Sequence, residues 1–293
     1  MTRRRRVIAT VSLAAVAALV PCVRAQQQTF RAFADAVSVD VSVKRGRVPV
    51  AGLTTADFEV LDNGVAQELD AVSIEAVPID VTLAVDLSGS VVPNLDAFKS
   101  DVEKFVSLLR PSDRVRIVSF STEVREDLPM QSPAARFRPE WTDVGGATSL
   151  NDSVLYALLW PGVPDRRHLV IVFTDGLDTY STLPSESIPA VAGRVEAVLH
   201  AVLVDPRVPN DRLGLYQGSL DALRDAVRRT GGETHRLSRA VDDFTQIVAD
   251  FRASYVLRYT PKGVDRSGWH TLTVHVKRPG NMTIRARQGY TGG

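Results

Sequence analysis

Residues 79–85 (Ile-Asp-Val-Thr-Leu-Ala-Val) are apolar at nearly every position, and they run straight into Asp86, Leu87, Ser88, Gly89 and Ser90. A hydrophobic run without alternation fits a strand buried on both faces, which is the habit of a parallel sheet covered by helices on each side. Two more such runs, 169–173 and 198–204, lie downstream. Apolar residues at helical spacing separate them: Val91, Leu95, Phe98, Val102, Phe105 and Leu109, then Leu150, Val154, Leu155 and Leu158. Leu220, Leu223, Ala226 and Val227 give a third helix, closed by Gly231-Gly232, and Val241, Phe244, Ile247, Val248 and Phe251 a fourth. The strand–helix alternation predicts an α/β fold with a doubly wound, mostly parallel sheet. Residues 123–145, broken by Pro129, Pro133 and Pro139, read as an irregular surface segment.

The two ends have a different texture. Val37, Val39, Val41 and Val43 alternate with polar residues, as in a half-buried strand. A short strand at 58–61 meets Asp62-Asn63-Gly64, a strong hairpin signal, and 67–74 reads as the returning strand. After Ala253 the helices stop, and 255–259, 271–276 and 283–286 are short alternating strands. Neither end can bury a core alone. The expectation is a small β-sandwich-like unit built from both ends, with segments 26–76 and 254–293 flanking a main domain at 77–253.

Arg3–Arg6, the apolar stretch 7–20 and Val23-Arg24-Ala25 have the three parts of a secretory signal peptide over residues 1–25. The apolar run is shorter than a spanning helix requires. Pro21 does not suit lipid attachment at Cys22, the sole cysteine, so the expected mature chain has no disulfide, no transmembrane helix and an exported fate, periplasmic or extracellular. The formal charge of +1 is deceptive, because five of the 35 basic residues lie in the first 25 positions, which hold no acid. The remainder carries 30 basic residues against 34 acidic ones, a balance of −4 that gives no footprint for nucleic acid.

In open α/β sheets, ligands sit beyond the carboxyl ends of the strands. Asp86, Ser88 and Ser90 alternate with Leu87 and Gly89, so three oxygen side chains can converge there. Gly145-Gly146-Ala147-Thr148 precedes a helix and places Thr148 at its start. Thr174-Asp175-Gly176 follows the 169–173 run, which brings Asp175 to the same sheet edge. An all-oxygen set of this kind suits a hard cation such as Mg²⁺. Asp178 and Ser181 read as a polar loop, Asp152 as an acid in a first helical turn, and Trp141 and Tyr180 as loop aromatics available for packing or contact. The five histidines show no ligand spacing.

Asp-x-Ser-x-Ser, a later loop threonine and Thr-Asp-Gly together resemble the metal-ion-dependent adhesion site of von Willebrand factor type A domains, over about residues 77–253. The flanks, residues 52–58 with Asp62-Asn63-Gly64 and the ending 285–290, are similar to secreted bacterial "VWFA-related" proteins. The resemblance implies that Ser88 and Ser90 bind the cation directly and that Asp86 and Asp175 act directly or through waters. It implies that Thr148 enters or leaves the shell. The ion would be Mg²⁺, with Mn²⁺ and Ca²⁺ as alternatives, and a partner protein or peptide would supply an Asp or Glu carboxylate. The expected function is therefore exported, cation-dependent protein binding and not catalysis. A scaffold with a purely structural metal site is one competitor. A metal-dependent hydrolase is the other, but an aspartyl nucleophile wants a second carboxylate two residues on, where Ser88 stands.

Overall fold

In the computed structural model the described residues are 36–293, apart from 75–76, 92–94, 137, 140, 142–143, 205–212, 238 and 293, with backbone only at 95, 97 and 213–216. The signal-peptide segment and Cys22 lie outside the described residues. Residues 37–293 form one compact unit.

Its centre is a six-stranded sheet in the order Thr234–Arg236, Val198–Leu203, Arg167–Thr174, Ile79–Asp86, Arg114–Phe120 and Val124–Gln131. Neighbours are parallel except the last pair. Every residue of Ile79–Asp86 is buried, Asp80 and Thr82 included, as in a central strand covered on both faces. Val81, Leu83 and Val85 face one layer, formed by helices Leu95–Ser107 and Ala240–Arg252. Ala84 faces the other, formed by Leu150–Leu158, Ser187–Ala192 and Leu213–Thr230. The fold is thus doubly wound.

Two expectations need correction. Residues 124–131 are a strand and not an irregular segment, with Leu128 buried in the core. Its position at the sheet edge explains why Pro129 and its charged neighbours misled, since an edge strand need not donate every amide and its register here shifts twice. Residues 67–74 are not one strand. Val65–Gln67 pairs with Phe58–Asp62, whereas Ala71–Ser73 pairs with Tyr255–Tyr259 in a different sheet. The chain crosses between sheets at 68–70. Strands Thr234–Arg236 and Gly289–Gly292 and helix Ser187–Ala192 carried no readable pattern because each is so short.

The terminal segments interleave. Val37–Arg45 lies between Tyr255–Tyr259 and Thr283–Ala286, antiparallel to both. Gly268–Val276 lies between Phe58–Asp62 and Gly289–Gly292. Val39, Val41, Phe58, Val60, Leu257 and Leu272 fill the space between these two sheets. Asp62, fully buried there, accepts from Tyr259 and Tyr290 hydroxyls at 2.9 and 2.8 Å and contacts His270 Nδ1 at 2.8 Å. Asn63 and Gly64 take positive φ of 48° and 81°, as the Asn-Gly hairpin signal predicts.

Candidate metal centre

The strand Ile79–Asp86 ends by delivering Asp86 to the carboxyl edge of the sheet, and the neighbouring strand Arg167–Thr174 delivers Asp175 one residue past its own end. Both aspartates fold their chain in the same way. Asp86 Oδ1 accepts from Ser88 N at 2.9 Å, and Asp175 Oδ1 accepts from Leu177 N at 2.9 Å. Each carboxylate thereby turns the backbone sharply away from the strand. Asp86 Oδ2 accepts from Thr174 Oγ1 at 2.7 Å, so the two strand ends are joined through a side chain.

The third loop is tied to the other two. Gly145 N donates to Leu87 O at 2.8 Å, while Thr148 N donates to Thr179 Oγ1 at 2.9 Å and Thr148 O accepts from Thr179 N and Tyr180 N. Gly146 has φ of +83°, and a Cβ there would stand 2.6 Å from Thr122 Oγ1, so this close approach needs glycine. Thr148 stands one residue before Ser149, the N-cap of helix Leu150–Leu158, whose first amides are capped from outside by Asp178 Oδ2 on Asn151 N and Ser181 Oγ on Asp152 N. Asp152 in turn holds the amides of Thr182 and Leu183. Asp178, Ser181 and Asp152 therefore shape the loop. Trp141 packs on Phe98 with ring centroids 6.3 Å apart, whereas Tyr180 is exposed.

All five expected residues sit on these three connected loops. Asp86, Ser88, Thr148 and Asp175 are buried and Ser90 is exposed. Ser88 Oγ and Ser90 Oγ are 3.3 Å apart. Ser90 lies in a turn. Burial pushes the Asp86 carboxyl up to about 7 against hydrogen bonds from Ser88 and Thr174, and the charge of Asp175 adds to the rise. Two carboxylates share a dry edge with no protein cation between them in this set.

These residues fit a divalent ion. Mg²⁺ holds six oxygens at about 2.1 Å, which sets adjacent ligands about 3 Å apart, close to the spacing of the two serine oxygens. Among the described residues no cluster of three His, Cys, Asp or Glu could hold a metal, so hydroxyl ligands are essential to any such centre here. Sequence reasoning overlooked Thr174, Thr122 and Thr179, which orient the loops. Of these, only Thr174 carried a signal, since it falls beside Asp86 once the parallel register Val85↔Phe173 is known. Two histidines do meet, unseen in the sequence: His200 Nδ1 and His235 Nε2 are 3.1 Å apart, while His168 Nε2 is 3.0 Å from Thr82 Oγ1.

A doubly wound sheet with oxygen side chains gathered on three loops at its carboxyl edge is the architecture of the von Willebrand A (VWA) class of domain. The family described as "VWA domain containing CoxE-like protein" matches residues 67–230, and the chain belongs to it. No curated protein matches. Among solved structures, BatB from Bacteroides thetaiotaomicron is 18% identical, over 59% of this chain and 98% of its own, with a TM-score of 0.43. A von Willebrand factor type A protein from Catenulispora acidiphila is 12% identical, over 87% and 73%, at 0.48. Proximal thread matrix protein 1 from the mussel byssus, solved with a zinc-occupied MIDAS motif, is 15% identical, over 65% and 49%, at 0.46.

Proposed function

We propose that this protein is an exported, divalent-cation-dependent binding module that grips a protein or peptide through an Asp or Glu side chain. The observation that carries the reading is the pair of serine oxygens 3.3 Å apart on the loop leaving Asp86, with Asp175 beside it. Ser88 and Ser90 would hold the ion directly. Asp86, pinned through both oxygens by Ser88 N and Thr174 Oγ1, would remain behind them as a fixed anion. Asp175 and Thr148 would complete the protein's share. Mg²⁺ is the expected ion, and it supplies an electrophilic centre for an incoming carboxylate. Because three of the donors, Ser88, Ser90 and Thr148, are neutral hydroxyls, little of the ion's charge is cancelled by the protein. Ser90, the exposed member, opens the site to a partner.

Binding is favoured over hydrolysis because Ser88 occupies the place where an aspartyl-transfer enzyme keeps its general acid. Export rests on the character of residues 1–25. No helix among the described residues is long and apolar enough to cross a membrane.

Calorimetric titration of Mg²⁺ and Mn²⁺ into the full chain tests the site. One ion should bind the wild type, and none should bind folded Asp86→Ala or Asp175→Ala. An acidic peptide should then bind only with the ion present. No ion uptake, with or without added acetate, would sink the reading.

A further inference from the structure

The amino ends of the same strands open onto something the metal centre does not use. A cavity of about 510 Å³ lies between the starts of strands Arg167–Thr174 and Val198–Leu203 and the interleaved terminal strands. That volume is typical of a site for a small organic molecule. Its wall is in part apolar, with Leu158, Val195, Ala197, Val198 and Val256. Arg166, Arg167, Arg258 and Arg287 also line it, against the acids Asp40, Asp165 and Glu196.

Arg167 is the decisive residue. It is only 7% exposed. Its guanidinium lies over the Phe251 ring at 3.9 Å, and Nη2 donates to Ser254 Oγ at 2.5 Å. Nη2 also contacts Asp40 Oδ1 as an ion pair, without the alignment of a hydrogen bond. Nε and Nη1 are buried and have no partner. Buried donors of a charged group are rarely left this way, and each such exception asks for a ligand, ion or water. The neighbouring arginines are accounted for differently. Arg166 is committed to Asp80 and to the carbonyls of Ile79 and Ser112. Arg287 donates through Nε to Gly289 O, and burial pushes its pKa down against the pull of Glu196 and Asp40.

We propose that this cavity binds a small organic carboxylate. The anionic head would take the free Nη1 of Arg167, with Arg258 and Arg287 adding charge. The hydrocarbon body would lie along the Leu158–Val195–Val256 wall. The mixed wall favours an organic acid over inorganic phosphate, which would leave the apolar part uncovered. This site is independent of the metal centre, and its occupant need not be the partner bound there.

The test is calorimetry on the full chain with hexanoate and benzoate, their neutral amides and inorganic phosphate. One equivalent of a carboxylate should bind, and the matching amide should bind at least about tenfold more weakly, as loss of a charge-assisted contact to Arg predicts. With chelator present throughout, Arg167→Gln should weaken the carboxylate by a similar factor, and wild-type binding should persist without any divalent ion. If Arg167→Gln does not fold, Arg258→Gln on the same wall should cost about threefold through lost charge. Failure of both carboxylates to bind would overturn the proposal. So would equal binding of the amides, phosphate binding as tightly as hexanoate, or indifference to the arginine substitutions.

Discussion

Asp80 and Asp86 lie on one strand, six residues apart, and both are buried. Their surroundings could hardly differ more. Asp80 meets Arg114 and Arg166 side by side. Burial alone would raise its pKa, but the hydrogen bonds from the two arginines outweigh that and hold it below the usual carboxylate range. Asp86 is buried more deeply and has no such cation, and it rises to about 7. The difference teaches that burial does not decide what an aspartate is for. The counter-charge does. At the amino edge the protein supplies that charge itself and gains stability. At the carboxyl edge it is withheld, which leaves room for an ion from solution.

The largest effect should come from breaking this contrast at its paired end. Asp80→Asn strands two arginines and should cost about 3 kcal/mol in urea unfolding, the loss expected when one partner leaves a buried ion pair. Asp86→Asn with chelator present should leave stability unchanged or higher, because an unpaired buried charge is removed. A large loss there would mean that the two aspartates play the same part.

Acid should act next. Burial holds His168 at about 4, with Arg116 adding to the fall and Asp80 opposing it. The unfolded chain, near 6.5, then binds more protons than the native one between those values, so stability falls as pH drops from about 6.5 to 4. The loss should reach about 3 kcal/mol when followed in an Asp86→Asn background, and His168→Gln should flatten it. His200 and His235, also lowered by burial, add in the same direction.

Restoring the missing charge should come third. Mg²⁺ at about 100 times its Kd should stabilise the wild type by about 2.7 kcal/mol, read as a rise in Tm, and should not stabilise Asp86→Asn. Smaller still, Gly146→Ala forces a side chain onto a positive φ beside Thr122 and should cost about 1–2 kcal/mol. Because Gly145 and Thr148 flank it, ion affinity should fall with it. Tyr180→Ala, on an exposed ring, should change stability by less than about 0.5 kcal/mol, leaving any loss of partner binding attributable to contact.

What could be read from the sequence follows this division. The Asp86 loop was legible because a mostly apolar run fits a central strand and ends where Asp86, Ser88 and Ser90 begin. Asp175 was legible for the same reason, and Thr148 through the glycines before a helix. Thr174 was not, since its bond to Asp86 depends on the register of two strands 88 residues apart. The same limit hid the His200–His235 contact. The strand at 124–131 was lost to Pro129, which would disqualify a central strand but is tolerated at an edge. The crossing at 68–70 was lost because both halves alternate in the same way. The arginine cavity had no linear trace at all, as its walls come from both ends and the middle of the chain.

The strand Val37–Arg45 hydrogen-bonds to residues more than 200 positions away. On the ribosome, or emerging from a translocation channel, it therefore has only the two-residue strand Val48–Pro49 to pair with, at its far end, until nearly the whole polypeptide has followed it. The β unit must close last, after the central sheet has had time to assemble from its own closer neighbours. Until then, the alternating valines at 37–43 are an unpaired edge exposed to every other nascent chain.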